Sequence, residues 1–492
     1  MAKKNTQGLT AKKNEDFSEW YTQLIQKAEL IEYSPVSGCY ILRPNAFQIW
    51  EKLQAFFNDL IKKDGVKNAY FPLFIPESYL TKEEDHIEGF AAEVAWVTHG
   101  GNSKLSERLA IRPTSETIMY GSYAKWIRSY KDLPLRLNQW SNVVRWEFSH
   151  CTPFLRSREF LLQEGHTAFA TKEEAEKEVL KILDFYEKVY ADLFAIPVLK
   201  GLKSVKEKFA GADYTTSIEA FLPDGKAIQG ATSHHLGQNF AKVFDIKFRD
   251  KDEKEKFVYQ NSWGFTTRTI GVAILMHSDD KGLVLPPKVA TMQVVIVPIL
   301  FDDSKKKVLA AANSMKSKLE DLGLVCHVDS REEYRPGWKF NEWEVKGIPL
   351  RIEIGPRDLD KNIAMVARRD TGEKQEVNLD EISNVVPKEL EQMHKDLFEK
   401  AKKHLEESVV EVKDVESAKK AFSNGKYVFA SWCGSVDCEE KFKEETLGKS
   451  LNSPIEQEKV KGKCFACDQK AKVRFYFGRS YWFFLFFVFL TF

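Results

Sequence analysis

Four of the seven cysteines fall between Cys433 and Cys467 in two pairs, Cys433-GSVD-Cys438 and Cys464-FA-Cys467. Each pair forms a short chelating loop, and together they can hold four thiolates about 2.3 Å from one tetrahedral zinc ion. No other feature constrains the fold as tightly: the C-terminal part is expected to close around a metal, with four unrelated buried thiols as the alternative. Four protein ligands leave no open position for water, so the expected zinc on Cys433, Cys438, Cys464 and Cys467 is structural. Cys39, Cys151 and Cys326 are too scattered for a disulfide framework and read as ordinary core or loop thiols in a reducing compartment.

At 492 residues, 43% of them hydrophobic, the chain can bury several cores, and two to four domains are expected. With 73 basic and 72 acidic residues, the net charge of +1 excludes a globally basic nucleic-acid coat or an acidic disordered tail. Any RNA partner must be met by local patches.

Residues 1–17 are basic and polar without the apolar run of a signal peptide, and read as a disordered leader. Residues 18–290 mix amphipathic helices at 44–63 and 172–193 with β-rich runs at 142–148, 160–169 and 257–263, as one large α+β domain. Residues 291–386 alternate strand (293–298), helix (304–322), strand (324–329), helix (336–346) and strand (350–354), which predicts a separate α/β layer. A charged helical linker at 387–410 opens a third unit, 387–481, that holds the four cysteines. Residues 481–492 read YWFFLFFVFLTF. As a helix this run spans about 18 Å, short of a hydrocarbon core of about 30 Å, so no membrane span is expected. The tail at 482–492 reads as a non-native or mis-spliced extension, with an interaction or membrane-surface segment, or a packed strand, as alternatives.

Four stretches of the large domain concentrate polar chemistry. In VVRWEF the β period puts Arg145 and Glu147 on one side, the guanidinium suited to a phosphate and the carboxylate to a base amine. After Arg156-Ser157-Arg158, residues Phe160, Leu162, Glu164 and His166 share a face; a solvated Arg/Glu ladder is the competing reading. Arg112-Pro-Thr114-Ser-Glu116 looks like a helix start, where Glu116 either caps the helix or receives a substrate ammonium. Gln229-GATS-His234-His235, expected just after an apolar strand, offers amide, hydroxyl and imidazole groups, with His234 either structural or a ligand. Asn261-SWGFTT-Arg268 turns from a strand into a glycine-containing helix, placing Arg268 where helix potential favours a terminal phosphate.

With these stretches in view, the chain closely resembles class II prolyl-tRNA synthetases of the archaeal and eukaryotic type, from about residue 18 to Tyr481. The helix led in by Gly38 and the following NAYFPLFIP resemble motif 1, the dimer-forming element, with Pro72 as its proline. RWEF to FLRSREF resembles motif 2, and TTRTIG with GLVLPP resembles motif 3. RPTSE, QEGHTAF, FAGADYTT and TSHHLGQNF are similar to stretches of the proline branch. The resemblance implies an α+β fold: a class II catalytic domain on an antiparallel sheet, an α/β anticodon-binding domain and a small zinc-binding α+β domain.

It also implies ATP-dependent activation of L-proline to the adenylate and transfer to the 3′ end of tRNA(Pro). Arg145 would hold the α-phosphate and the proline carboxylate; Glu147 would read adenine; Arg156 and Arg268 would hold the outer phosphates. Ser157, Thr232 and Thr266 would lie by the nucleotide, and Gln229 near ATP-bound Mg²⁺. Thr114, Glu116 and His234 would meet proline, with Phe90, Phe160, Trp263 and His166 as an apolar wall. Lys339, Glu342, Lys346 and Arg351 are candidate anticodon contacts, with ordinary helical surface charge as the alternative for each. A homodimer through motif 1, a cytoplasmic location and membership of a multi-synthetase assembly belong to the same expectation. About 95 residues separate His166 from Ser262, too few for the editing insertion of bacterial-type relatives. Two positions depart from the family: relatives end at the tyrosine matching Tyr481, and many eukaryotic ones carry tryptophan where Leu162 stands. The competing functions are a class II synthetase for threonine or histidine and a catalytically silent paralogue that binds tRNA or nucleotide.

Overall fold

The computed structural model describes residues 8–84, 93–146, 151–457 and 459–481, with only the backbone of 82–84. Helix α1 (Phe17–Lys27) and helix α2 (Pro44–Lys63) come first. Helix α2 forms because Pro44 presets its first turn, lysines close its last, and Ala46, Ile49, Trp50, Leu53, Phe57 and Ile61 recur at helical spacing as its buried stripe. Helix α3 (Glu116–Trp126) precedes strands β1 (Leu135–Val144) and β2 (Glu159–Phe169). Helix α4 (Lys172–Lys188) opens on a capping box between Thr171 and Glu174 and runs into a π turn, Val189–Leu193, so the expected helix to 193 changes pitch at its end. Strands β3 (Leu199–Leu202), β4 (Tyr214–Phe221), β5 (Lys226–Gly237) and β6 (Tyr259–Thr266) follow, then helix α5 (Arg268–His277).

Antiparallel pairing arranges these strands as β1-β2-β6-β5-β4-β3. One face of the sheet is covered by α2 and α4, and Trp50, Phe57, Tyr186, Trp263 and Phe265 belong to the large core there. The other face carries a second core, where Tyr120 and Tyr123 of α3 pack with Leu137 and Ala168, and the site lies beside it.

Strand β7 (Val294–Pro298), helix α6 (Lys305–Glu320), strand β8 (Cys326–Val328), helix α7 (Pro336–Val345) and strands β9 (Leu350–Ile354), β10 (Ile363–Arg368) and β11 (Lys374–Asn378) build the second layer. Its sheet runs β8-β7-β9-β10-β11, parallel over the first three and antiparallel beyond, as the strand–helix alternation implies. Helix α8 (Ile382–Ser408) spans the expected linker. Strand β12 (Tyr427–Trp432), helix α9 (Val436–Thr446) and strand β13 (Val473–Ser480) form the cysteine unit. This unit shares a sheet with the catalytic domain, because β13 pairs in parallel with β5 at Lys226–Arg479 and Ala227–Ser480.

One expectation is corrected at the N-terminus. Residues 8–16, assigned to a disordered leader, lie against the catalytic domain. The Lys13 ammonium donates to the carbonyls of Leu275 (2.7 Å) and Ser278 (3.0 Å), closing the C-terminal end of α5. Residues 1–7 and the hydrophobic tail at 482–492 lie outside the described residues. Among the described residues no helix is long and apolar enough to cross a membrane.

Candidate active site

Side chains alternate across a strand, so register decides which of them meet. Pairing sets His166 opposite Ser262, Glu164 opposite Gly264 and Leu162 opposite Thr266; on the next boundary Thr232 faces Gly264 and His234 faces Ser262. These positions share one face and line a cavity of about 320 Å³, which Thr114, Glu116, Arg145, Arg156, Ser157, Phe160, Gln229 and Arg268 complete. The segment from Gln229 to His235 lies within β5, not after a strand as expected. Phe90 and Glu147 fall outside the described residues.

Trp263 borders the cavity, but its ring crosses to the opposite face, 6.2 Å from Phe57, and the residue is 2% exposed. It sits flat over its cross-strand partner Gly165, where an added Cβ would lie 2.2 Å from the ring. The expected apolar wall from Trp263 is therefore corrected: alternation along β6 sends Ser262, Gly264 and Thr266 to the cavity and Trp263 to the core.

At one end of the cavity, Glu116 opens α3 almost fully buried and accepts a hydrogen bond from the Thr114 hydroxyl. Ser115 ties the same loop to β2: its N–H donates to Glu164 at 3.2 Å, and its hydroxyl donates to the same carboxylate. Gln139 also donates to Glu164, at 3.2 Å. His166 Nε2 lies 3.3 Å from Glu164, and the Tyr120 hydroxyl lies 3.1 Å from Nδ1. Burial by itself would push the His166 pKa down, but Glu116 and Glu164 together outweigh it and hold the imidazole above its ordinary value. Burial likewise works to raise Glu164, and the hydrogen bond and charge of His166, with Ser115 and Gln139, hold it below the usual carboxylate range. His234 is different. Its two ring nitrogens meet the hydroxyls of Thr215 and Thr232, each at 2.9 Å, and burial, then the neighbouring His166, pushes its pKa down to about 3. Glu116 thus borders the cavity beside a Glu164 held by Ser115, Gln139 and His166 and a His234 kept neutral by burial, an arrangement that suits a substrate ammonium.

Three guanidinium groups line the same cavity. The Arg145 Nε donates to the Pro113 carbonyl at 3.1 Å, and its guanidinium lies 5.5 Å over the Phe160 ring. Arg268, the first residue of α5, donates from its N–H to Thr266 Oγ1 (3.1 Å) and from its guanidinium to the carbonyls of Leu155 (3.2 Å) and Gln229 (3.3 Å). Burial lowers its pKa, and the guanidinium groups of Arg145 and Arg156 act in the same sense. Like charges gathered at a helix N-terminus form a seat for a polyanion.

Sequence reasoning passed over several residues that hold this site. Ser115 stood in view inside the TSE run. Phe209, whose ring lies 4.7 Å from His234, opens the FAGADYTT stretch, a signal that could have found it; Gln139 on β1 carries none.

The four expected metal ligands converge. Their Sγ atoms lie within 4.8 Å of one another, with Cys433–Cys467 at 3.5 Å and Cys438–Cys464 at 3.8 Å, and none forms a disulfide. A tetrahedron with metal–sulfur bonds of about 2.3 Å has edges of about 3.8 Å, so the donor set fits zinc. The candidate RNA contacts fare unevenly. Lys339 is 2% exposed, and its ammonium donates to the Asp329 carbonyl at 2.9 Å, so it props α7 from within instead of facing RNA. Arg351 is buried in β9 and paired with Glu353 at 2.9 Å. Glu342 and Lys346 are half-buried and paired with each other at 3.0 Å.

An antiparallel sheet whose one face lines a cavity with buried carboxylates and three arginines, closed by a helix that begins at an arginine, is the arrangement expected of a class II aminoacyl-tRNA synthetase. The tRNA synthetase class II core domain (G, H, P, S and T) matches residues 96–277, the anticodon binding domain 293–389, and the prolyl-tRNA synthetase C-terminal domain 415–481. The cytoplasmic proline–tRNA ligase of Arabidopsis thaliana is 52% identical, covering 96% of this chain and 91% of that protein. The bifunctional glutamate/proline–tRNA ligase of Mus musculus is 50% identical over 97% of this chain and 33% of its own length. The crystal structure of prolyl-tRNA synthetase from Cryptosporidium parvum, complexed with halofuginone and AMPPNP, matches with a TM-score of 0.93 at 49% identity, over 96% of this chain and 100% of that one. The chain belongs to the proline–tRNA ligase family.

Proposed function

We propose that the chain joins L-proline to ATP as prolyl-adenylate, releasing pyrophosphate, and passes the prolyl group to the 3′ end of tRNA(Pro). Family membership supports the reaction, and the residue assignments rest on one observation: one cavity is lined both by the buried Glu116 carboxylate and by the guanidinium groups of Arg145, Arg156 and Arg268. Glu116, steadied by Thr114, takes the secondary ammonium of proline. His166 and His234 border the pyrrolidine, His234 as a neutral ring held by two hydroxyls. This orientation turns the proline carboxylate toward Arg145 and the α-phosphate, which it attacks in line as pyrophosphate leaves. No side chain acts as a nucleophile, so catalysis is positioning and neutralisation of phosphate charge. Arg156 and Arg268 hold the outer phosphates, Ser157, Thr232 and Thr266 border the nucleotide, Glu147 reads adenine and Gln229 lies beside the ATP-bound metal. Mg²⁺ arriving with ATP supplies further neutralisation of the phosphates. Zinc on Cys433, Cys438, Cys464 and Cys467 holds the C-terminal unit together.

In this reading the chain works as a homodimer, supported by Tyr33, Val36, Ile41 and Phe47, which are exposed apolar residues before and at the start of α2. Glu342, Lys346 and Arg351 remain the proposed anticodon contacts. A cytoplasmic location is supported by the Arabidopsis relative, and a larger assembly by the bifunctional mouse relative. Family membership disfavours a threonine or histidine enzyme and a silent paralogue. Amino-acid-dependent ATP–pyrophosphate exchange tests the reading: exchange with proline, lost by orders of magnitude in Arg145→Ala, supports it. Exchange driven by threonine or histidine instead, or by no amino acid, overturns it.

A further inference from the structure

We infer that Glu439 and Lys449, in the cysteine unit, are positioning residues for the amino-acid end of the cavity, acting through the segment 203–213. The inference rests on the reading of that end as the proline site. The segment joins β3 to β4 and is rooted by an ion pair of Lys203 with Glu219 at 3.2 Å, both almost fully buried. One side of it faces the cysteine unit. The Ser204 hydroxyl donates to Glu439 at 3.0 Å, and the Ser450 hydroxyl donates to the same carboxylate. Lys206 pairs with Glu440 at 2.7 Å, and Glu207 with Lys449 at 2.5 Å. Backbone pairing of Leu202 with Ser453 and of Gly201 with Pro454 adds a strand contact at the base of the segment.

The other side forms the cavity wall. Glu207, Phe209 and Thr215 all line the cavity beside His234. The Phe209 N–H donates to Thr215 Oγ1 at 2.9 Å, and the same hydroxyl lies 2.9 Å from His234 Nδ1. The residues that fix His234 and shape its surroundings thus hang from a segment whose outer side is held by another unit. Glu439 is 4% exposed and follows Cys438 directly on α9, so the cluster that anchors this helix also sets where the carboxylate points. Loss of these links frees the wall without touching the arginines, so the account predicts an effect on proline and none on ATP.

The test is steady-state proline-dependent pyrophosphate exchange on the full chain, with Glu439→Ala and Lys449→Met against the conservative Glu439→Gln and Lys449→Arg. The KM for proline rises about tenfold in the first two, or about 1.4 kcal/mol. The KM for ATP and kcat stay within about twofold, and the conservative variants recover most of the loss. Zinc content stays at the wild-type level, and proline binding measured calorimetrically without ATP weakens by the same factor. A merely structural role lowers the melting temperature and leaves the proline KM where it was; that result, or equal shifts in the two KM values, overturns the inference. If Glu439→Ala fails to fold, Lys449→Met, whose ion pair lies nearer the surface, decides alone. Wild-type protein that shows no exchange with proline would defeat the functional reading instead, which keeps the two failures apart.

Discussion

Replacing Glu116 by Gln keeps the shape of the carboxylate and removes its charge. Glu116 is 3% exposed, and the Thr114 hydroxyl bonds one of its two oxygens, leaving the other for the substrate. At a separation of about 4 Å and an effective dielectric of about 20, an ammonium and a carboxylate attract by about 4 kcal/mol. Desolvation of the ammonium offsets part of this, and hydrogen bonds to charged groups contribute about 1.5–3 kcal/mol net. A loss near 3 kcal/mol lowers kcat/KM for proline about 150-fold. The ATP KM moves less than about twofold, because the substitution leaves the arginines assigned to the phosphates unchanged. Proline-dependent pyrophosphate exchange, with each substrate varied in turn, reads both quantities. A loss under about fivefold, or an ATP effect as large as the proline effect, would refute the assignment of the ammonium to Glu116.

Three further outcomes follow from the same geometry. Gly165→Ala drives a Cβ to 2.2 Å from the Trp263 ring, which Phe57 backs, and should cost about 1–3 kcal/mol in urea unfolding; an unchanged midpoint would place that ring elsewhere. Cys464→Ser should take bound zinc from about one equivalent per chain to below half and make the C-terminal unit protease-sensitive; full zinc content would contradict the four-thiolate site. Stability should fall in acid because the His234 pKa of about 3 lies below its unfolded value near 6.5, so only the unfolded chain gains that proton between these pH values. The loss is about 1.4 kcal/mol per pH unit, or about 2 kcal/mol from pH 6.5 to 5. His277 and His394, each held near 4 chiefly by burial, act in the same sense; His166, raised, opposes them. In His234→Gln the acid loss of urea stability should shrink by that amount, and an unchanged pH slope would show that His234 does not titrate as described.

Much of this was legible in the chain itself, where local chemistry decides. Pro44 and the paired lysines at 62 and 63 bracket α2 at the bounds its pattern predicts, and the Phe160-Leu162-Glu164-His166 alternation marks the cavity face. The failures share a cause: each depends on a partner distant in sequence. Alternation says that Trp263 and Ser262 point opposite ways, but only the register of β6 against β2 tells which one meets the substrate. Helical spacing makes Lys339 look like surface charge until Asp329 is placed behind it. Residues 8–16 look disordered until the end of α5 offers carbonyls to Lys13. Gln139 carries no local mark, since it acts only through what the fold sets beside it, whereas Phe209 opens the FAGADYTT stretch.

The most direct measurement is a crystal structure of the protein with a non-hydrolysable prolyl-adenylate analogue. The account predicts the imino nitrogen within hydrogen-bonding distance of Glu116, the phosphate mimic against Arg145, and the pyrrolidine beside His166 and His234. An analogue bound outside this cavity, or lying in it with its amino-acid end among the arginines, would contradict it.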